Sequence, residues 1–161
     1  MQKTRSIEIK QHRPNTEINV VHLRIEGLLA PEQKLALNLR TRTLSLLGEG
    51  PKQIMEQQFS ANEMRILVPM LHSFPHYCPY AVLLAYIASN DPTPSSIAHC
   101  HQRLQDALAN GSWPQEVRPI RRALSSLRNK LHHFNLEVST IRERGCSLTG
   151  LTTIPLSIEQ E

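Results

Sequence analysis

Hydrophobic and polar residues alternate through the first third of the chain, as they do in strands that bury one face. The alternation covers residues 21–26 and 35–39, and the short run 43–47 continues it. After a turn rich in glycine and proline, residues 52–56 can supply one more strand, and residues 6–10 are expected to form an edge strand or an arm. The pattern therefore predicts an antiparallel meander.

The hydrophobic period becomes helical after Phe59. Ser60 and Glu63 have the spacing of a capping box, so we expect a helix to begin at about Ser60. Its inward-facing positions are Met64, Leu67, Val68 and Leu71. Pro69 is expected to kink or shorten this helix, because it lacks an amide hydrogen and crowds the preceding turn.

Two further helices are expected before residue 112. The first begins at Pro79, which suits an initial helical position, and ends at about Ser89. The second covers about residues 95–109, with Ser95 as its cap and Asn110-Gly111 as its end. The apolar stripe of this helix is expected to contain Ile97, Cys100, His101, Leu104 and Leu108.

A strongly amphipathic helix is expected from Pro119 to Phe134. Its core-facing residues recur at spacings of four, three and four, and they are Ile120, Leu124, Leu127 and Leu131. Directly opposite on the helical wheel lie Arg118, Arg122, Ser125 and Asn129, with Arg121, Arg128 and His132 beside them. Two alternating segments, residues 136–141 and 146–151, then predict a hairpin with RERG at its tip.

Positive charge is concentrated in this last helix and hairpin. The 161-residue chain has 18 Lys and Arg against 14 Asp and Glu, a formal net charge of +4. Residues 115–145 contain seven basic and three acidic side chains, which accounts for the whole excess. Such clustering is typical of a surface that faces a polyanion, although a basic helix can also be only a solvated face.

Two loose clusters contain residue types that bind metals. The first is His72, His76 and Cys78, and the second is His99, Cys100 and His101. Their spacing matches no recognised zinc-ligand pair, and the predicted apolar stripe already accounts for Cys100 and His101. We therefore expect structural roles for them and neither a metal nor any other cofactor. The three cysteines, which include Cys146, contain no CxxC pair and are expected to be reduced thiols.

Catalytic and membrane signatures are missing from the sequence. It contains no GxSxG elbow, no Gly-rich phosphate loop and no HExxH motif, and it has only six glycines. The longest apolar run, residues 81–88, is far shorter than the roughly 20 residues that span a bilayer. We expect a soluble, cytoplasmic protein that is not an enzyme and has no membrane partner.

Three sequence motifs follow one another in a recognisable order. LALNLRTRTLSLLGEG leads into QFSANEMRILVPML, LRNKL stands at residues 127–131, and VSTIRERGCSL stands at residues 138–148. Together they resemble the winged-helix DNA-binding effector domain of response-regulator transcription factors. In that family a sheet leads into a helix with a Leu-Thr-x-x-Glu signal. The recognition helix ends in Leu-Arg-x-Lys-Leu, and the hairpin contains Ile-x-Thr-Val-Arg-Gly-x-Gly-Tyr-x-Leu. The resemblance covers about residues 33–149.

The resemblance implies an α+β fold of the winged-helix class. It implies an N-terminal antiparallel sheet, a three-helix core with one inserted helix near residues 95–109, and a C-terminal β-hairpin wing. The winged-helix domain is expected at residues 31–150, after a strand or arm extension at residues 1–30 and before a tail at residues 151–161. A stand-alone effector domain without a receiver domain is expected.

The resemblance also implies a set of DNA-binding residues. Arg118 and Arg128 take the places of recognition-helix arginines, and Arg142 takes the place of the wing arginine. The expected DNA-binding residues are Arg118, Arg121, Arg122, Ser125, Ser126, Arg128, Asn129, Lys130, Arg142 and Arg144. Glu143 and Cys146 stand where the family's wing has its first glycine and its tyrosine.

Sequence-specific binding of double-stranded DNA in transcription control is the function that these observations favour. The helix at residues 119–134 would enter the major groove and RERG would meet the minor groove or backbone. The alternative is a non-enzymatic protein-interaction module on the same scaffold, with RNA polymerase, another transcription protein or a second copy of the chain as its partner. Departures from the family at Ala123, Ser125 and Ser126 favour this alternative. A metal-dependent enzyme is a third hypothesis.

Overall fold

The structure is a computed structural model that describes residues 5–10, 20–49 and 53–150. The predicted tail at residues 151–161 and parts of the predicted N-terminal extension lie outside the described residues. The chain divides into two compact units. The first comprises Met1–Ser60, Lys130–Glu137 and Thr149–Glu161, and the second comprises Ala61–Asn129 and Val138–Leu148. The fold is α+β.

A five-stranded antiparallel sheet dominates the first unit. Its strands are β1 (Arg5–Lys10), β2 (Val20–Ile25), β3 (Lys34–Asn38), β4 (Thr43–Leu47) and β5 (Gln53–Gln58). Each strand pairs with the next one in the chain, so the predicted meander is confirmed and β1 is an edge strand. The alternate residues Leu23, Leu35 and Leu44 are at most 2% exposed, as the period-two pattern requires.

Strand β3 ends one residue earlier than its hydrophobic pattern predicts. The Oδ1 atom of Asn38 accepts hydrogen bonds from the backbone amides of Arg40 and Thr41, at 3.0 and 3.1 Å. Asparagine commonly turns the chain in this way, because its side chain satisfies amides that would otherwise lack a partner. Leu39 is consequently 43% exposed and lies outside the strand.

Within the described residues, five helices follow the sheet. They are α1 (Ala61–Ser73), α2 (Tyr80–Ala88), α3 (Pro94–Asn110), α4 (Trp113–Glu116) and α5 (Arg118–His132). Met64, Leu67 and Leu71 of α1 are buried as predicted, whereas Val68 is only half-buried. Pro69 lies inside α1, which continues beyond it to Ser73. Helix α2 packs against both α1 and α3.

Helix α3 begins earlier than predicted, and its cap is Thr93 instead of Ser95. The Thr93 Oγ1 atom accepts from the Ser96 amide at 3.1 Å, and the Ser96 hydroxyl oxygen accepts from the Thr93 amide at 3.0 Å. This reciprocal capping box leaves Pro94 in the first turn, where a missing amide hydrogen has no cost. Gly111 ends the helix in a left-handed conformation with φ of 78°.

The buried stripe of α3 also differs from the prediction. Cys100, Leu104 and Ala107 are buried, while His101 is exposed and Leu108 is 38% exposed. Leu108 lies at the edge of the stripe, because a rotation of about 100° per residue places it about 80° around the helix from Cys100, whereas Ala107 is only about 20° away.

A second, three-stranded sheet contains the C-terminal hairpin. Strand β6 (Cys78–Pro79) pairs with β8 (Gly145–Gly150), which also neighbours β7 (Leu136–Ile141). Gly145 is needed at this pairing, because a Cβ atom there would lie 2.0 Å from the carbonyl oxygen of Cys78. The two predicted C-terminal strands are confirmed, and β6 is an additional strand that the pattern does not indicate.

Candidate nucleic-acid interface

Helix α5 separates an apolar face from a basic face, as its sequence predicts. Its four core residues, Ile120, Leu124, Leu127 and Leu131, are at most 2% exposed. Arg118, Arg122, Ser125 and Asn129 on the opposite side are all exposed. Arg121 is exposed beside them, and Arg128 is half-buried. The buried stripe therefore fixes the helix in a rotation that presents its arginines outward.

The arginines of α5 and of the hairpin tip are not neutralised by acidic side chains. Within the described part of the chain, none of Arg118, Arg121, Arg122, Arg128, Arg142 and Arg144 forms an ion pair. Arg103 on α3 differs, since its guanidinium lies 2.5 Å from a Glu116 carboxylate oxygen. A guanidinium without a carboxylate partner keeps its donors available for an external anion.

The hairpin tip consists of Arg142, Glu143 and Arg144. The Arg144 amide donates to the Ile141 carbonyl oxygen at 2.9 Å, which closes the turn. The Arg144 carbonyl oxygen in turn accepts from the Tyr80 amide at 3.0 Å and ties the tip to the start of α2. Glu143 has φ of 58°, a left-handed conformation that favours glycine. The family that the sequence resembles has glycine at this position.

The side chains of two of the ten expected DNA-binding residues take part in internal contacts. The Ser126 hydroxyl donates to the carboxylate of Glu63, which is only 2% exposed. The Lys130 ammonium donates to the Gln58 carbonyl oxygen at 3.1 Å and lies 5.4 Å from the centre of the Phe59 ring. These contacts support the fold, because a buried carboxylate requires donors and the ammonium is attracted by the ring. The side chains of the other eight residues make no such contact among the described residues.

An open groove separates α5 from the hairpin. Its volume is about 620 Å³. It is lined by Arg121, Leu124 and Arg128 of α5, Thr140, Arg142 and Glu143 of the hairpin, and Tyr80 and Trp113. The rings of Tyr80 and Trp113 meet edge to face, with centroids 5.6 Å apart. The sequence pattern gives no prediction for these two aromatic residues, because neither belongs to an apolar stripe or a motif. The only signal was the single tryptophan of the chain next to a basic helix.

Buried thiols support the base of the hairpin. Cys78 and Cys146 are opposite each other in the β6–β8 pairing, and both are fully buried and free. Burial raises the pKa of each thiol to about 11, so both are protonated at neutral pH. Burial also raises the pKa of Tyr80, and the neighbouring Cys146 thiol adds a smaller contribution in the same direction. Tyr80 therefore lies beside the buried base of the hairpin and also lines the groove.

The described residues contain no group of three or more His, Cys, Asp and Glu side chains that could hold a metal ion. Cys78 and Cys100 are buried, whereas His72, His76, His99 and His101 are exposed. No helix among residues 5–10, 20–49 and 53–150 is both long and apolar enough to span a membrane.

Comparison with protein-family models, with curated proteins and with solved structures finds no match to this chain.

Proposed function

We propose that the protein binds double-stranded DNA sequence-specifically in transcription control, through α5 and the β7–β8 hairpin of a winged-helix arrangement. Helix α5 would lie in the major groove, and the hairpin tip would contact the backbone or the minor groove. The order α1, β6, α2, α5 and hairpin supports this arrangement, as does the β6–β8–β7 sheet at its end. Helix α3 would be the insertion.

One observation carries the proposal: six arginines on α5 and the hairpin tip have no acidic partner among the described residues. Phosphates of duplex DNA are the anions that a surface of this kind binds most generally, because each contact also releases counterions. Planar guanidinium groups can in addition bind the O6 and N7 atoms of guanine at once, which gives sequence preference.

The two kinds of contact can be separated by mutation. Arg122 is exposed near the start of α5 and is expected to contact a base, whereas Arg142 at the hairpin tip is expected to contact a phosphate. After selection of a preferred site from random duplexes, Arg122→Ala should cost about 1 to 3 kcal/mol on that site and much less on random DNA. Arg142→Ala should weaken binding to both duplexes equally.

The matched control is Arg24→Ala, which removes the same charge from an exposed position on β2. It should leave both affinities unchanged, with each variant retaining the unfolding curve of the original protein. If the unaltered protein shows no salt-dependent duplex binding at low ionic strength, the proposal is wrong.

A protein-interaction module is the second candidate. A smaller groove of about 220 Å³ supports it, since it lies beside α3 and is lined partly by Tyr77, His101 and Leu104. Tyr77 and Leu108 are also more than a third exposed, which leaves apolar surface for a transcription protein such as RNA polymerase. If His101→Ala weakened transcription activation while duplex affinity was unchanged, this second surface would be supported.

A further inference from the structure

The groove between α5 and the hairpin has the size of a small-molecule site. Its volume of about 620 Å³ falls inside the range of roughly 300 to 1,000 Å³ that such sites occupy. Apolar side chains from Leu124, Tyr80 and Trp113 form one part of the lining, and charged side chains form another. Most small-molecule sites are predominantly apolar with a few polar groups, so the larger charged share of this lining favours a charged ligand.

The charges in the groove fit a dianion. Three arginines and one glutamate line it, so the lining has a net charge of +2. Within the described residues, Arg121, Arg128 and Arg142 form no ion pair that would neutralise them. A phosphate monoester carries a charge of about −1.5 to −2 at neutral pH, and its oxygens match the planar donors of guanidinium groups. The Thr140 hydroxyl, also in the lining, adds one more donor.

The aromatic residues supply a surface for a planar ring. Tyr80 and Trp113 are both half-buried, so neither ring is fully enclosed by the protein. Their edge-to-face packing holds the two rings against each other before any ligand arrives. Fixed aromatic rings favour stacking with a nucleobase, because less conformational freedom is lost on binding.

We propose that this groove binds a phosphate monoester that carries an aromatic ring, the chemistry of a nucleoside monophosphate. The three guanidinium groups bind the phosphate, and Tyr80 and Trp113 contact the ring. Arg121, Arg128 and Arg142 also belong to the expected DNA-binding face, so the bound nucleotide and a duplex compete for them. This regulatory consequence rests on the proposed function, whereas binding of the nucleotide does not.

Trp113 provides a direct measurement, because it is the single tryptophan of the chain. Adenosine monophosphate, adenosine and inorganic phosphate are titrated separately at one ionic strength, with tryptophan fluorescence and calorimetry as readouts. Adenosine monophosphate should change the fluorescence saturably and bind at least about tenfold more tightly than either fragment, since each fragment lacks one of the two contacts. Equal binding of phosphate and the nucleotide would overturn the proposal and leave a simple anion site.

Variants test the residues of the groove. Arg128→Ala and Arg142→Ala should each weaken nucleotide binding by about tenfold or more, because each removes a charged hydrogen-bond donor. Arg142 is exposed at the hairpin tip, so its variant remains informative even if the half-buried Arg128 is needed for folding. Glu143→Gln should strengthen binding, since it removes the one negative charge of the lining. Arg24→Ala should leave the affinity unchanged, and an equal loss in this variant would indicate only diffuse electrostatic attraction.

The two proposals fail in different ways. Saturable nucleotide binding without duplex binding would leave the groove proposal standing and reject the DNA function. Duplex binding without a fluorescence or calorimetric signal from the nucleotide would support the DNA function and reject the groove proposal. If both bind, the nucleotide should reduce the duplex affinity of the unaltered protein. If duplex affinity did not change, the proposal that both ligands use the same arginines would be wrong.

Discussion

Glu143 adopts a backbone conformation that its side chain disfavours. Its φ of 58° at the hairpin tip is left-handed, a region that costs a residue with a Cβ atom roughly 1 to 2 kcal/mol. Glu143→Gly should remove this cost while adding about 0.5 to 1 kcal/mol of backbone entropy to the unfolded chain. We expect the free energy of unfolding to stay equal or to rise by up to about 1.5 kcal/mol, as measured by urea denaturation.

Glu137→Gly is the matched control for that substitution. Glu137 is also exposed, but it lies in the extended strand β7. Glycine there should lower the free energy of unfolding by roughly 0.5 to 1 kcal/mol, because the entropy loss is not offset by relief of strain. If both substitutions destabilised the protein equally, the left-handed conformation of Glu143 would be contradicted.

The buried thiols of Cys78 and Cys146 make stability depend on pH in the alkaline range. Both pKa values are raised by burial from 9.0 to about 11, so the folded protein keeps protons that the unfolded chain releases. Stability is therefore complete below about pH 9 and falls as the pH rises towards about 11, by an amount on the order of 2 to 3 kcal/mol per thiol.

Urea denaturation at several pH values would measure this dependence. Lysine and tyrosine also titrate in this range, so the comparison must be made with a variant that carries both Cys78→Ala and Cys146→Ala. That variant should be less stable at neutral pH but should lose less stability between about pH 9 and pH 11. Cys100→Ala, which leaves both thiols of the pair in place, should retain the full dependence.

At the scale of helices and strands, the sequence predicts those elements whose side chains repeat with one clear period. The stripe at Ile120, Leu124, Leu127 and Leu131 defines α5 and the direction in which its arginines point. The ends of other elements are predicted less accurately, because more than one nearby residue can begin or end a helix or strand. Thr93 and Ser95 are both acceptable caps for α3, and only the bond between Thr93 and Ser96 decides between them. Asn38 ends β3 by a side-chain contact that hydrophobic alternation cannot reveal.

Helix α3 offers a test of its corrected stripe. Leu104 is 4% exposed and Leu108 is 38% exposed, although the sequence places both on one face. Leu104→Ala should lower the free energy of unfolding by about 2 to 4 kcal/mol, the usual cost of emptying a buried leucine site. Leu108→Ala should cost well under half of that, since much of its side chain already contacts water. Similar losses in both variants, measured by urea denaturation, would show that the helix buries Leu108 as well.

Only part of the candidate site could be predicted from the sequence, because its residues come from several helices and strands. The basic face of α5 follows from a helical wheel, because every residue involved lies on one element. The groove beside it does not, because Tyr80, Trp113 and Thr140 come from three other elements. The internal roles of Ser126 and Lys130 were likewise hidden, since their partners Glu63 and Gln58 are 63 and 72 residues away in sequence.

At the scale of the whole molecule, the distribution of charge matters more than its total. The net charge of +4 is modest, but the basic excess lies within residues 115–145. A protein with charge of both signs spread over its surface would have little salt-dependent affinity for DNA. A cluster of arginines gives a stronger salt dependence, because each phosphate that it contacts releases a bound counterion. This release favours binding most at low salt. The salt dependence of binding therefore reports how many arginines act together.

The slope of log affinity against log salt concentration should be negative for duplex DNA. Its magnitude should not exceed about 5, the value for phosphate contacts from all six unpaired arginines. Arg142→Ala should reduce the magnitude of the slope by about one unit, as the loss of one phosphate contact requires. Arg24→Ala lowers the net charge equally but should not change the slope, because its charge lies on β2. Affinities measured by fluorescence anisotropy over a range of salt concentrations would give all three slopes. Equal reductions in the two variants would mean that net charge alone attracts DNA, and that α5 and the hairpin do not form a specific surface for it.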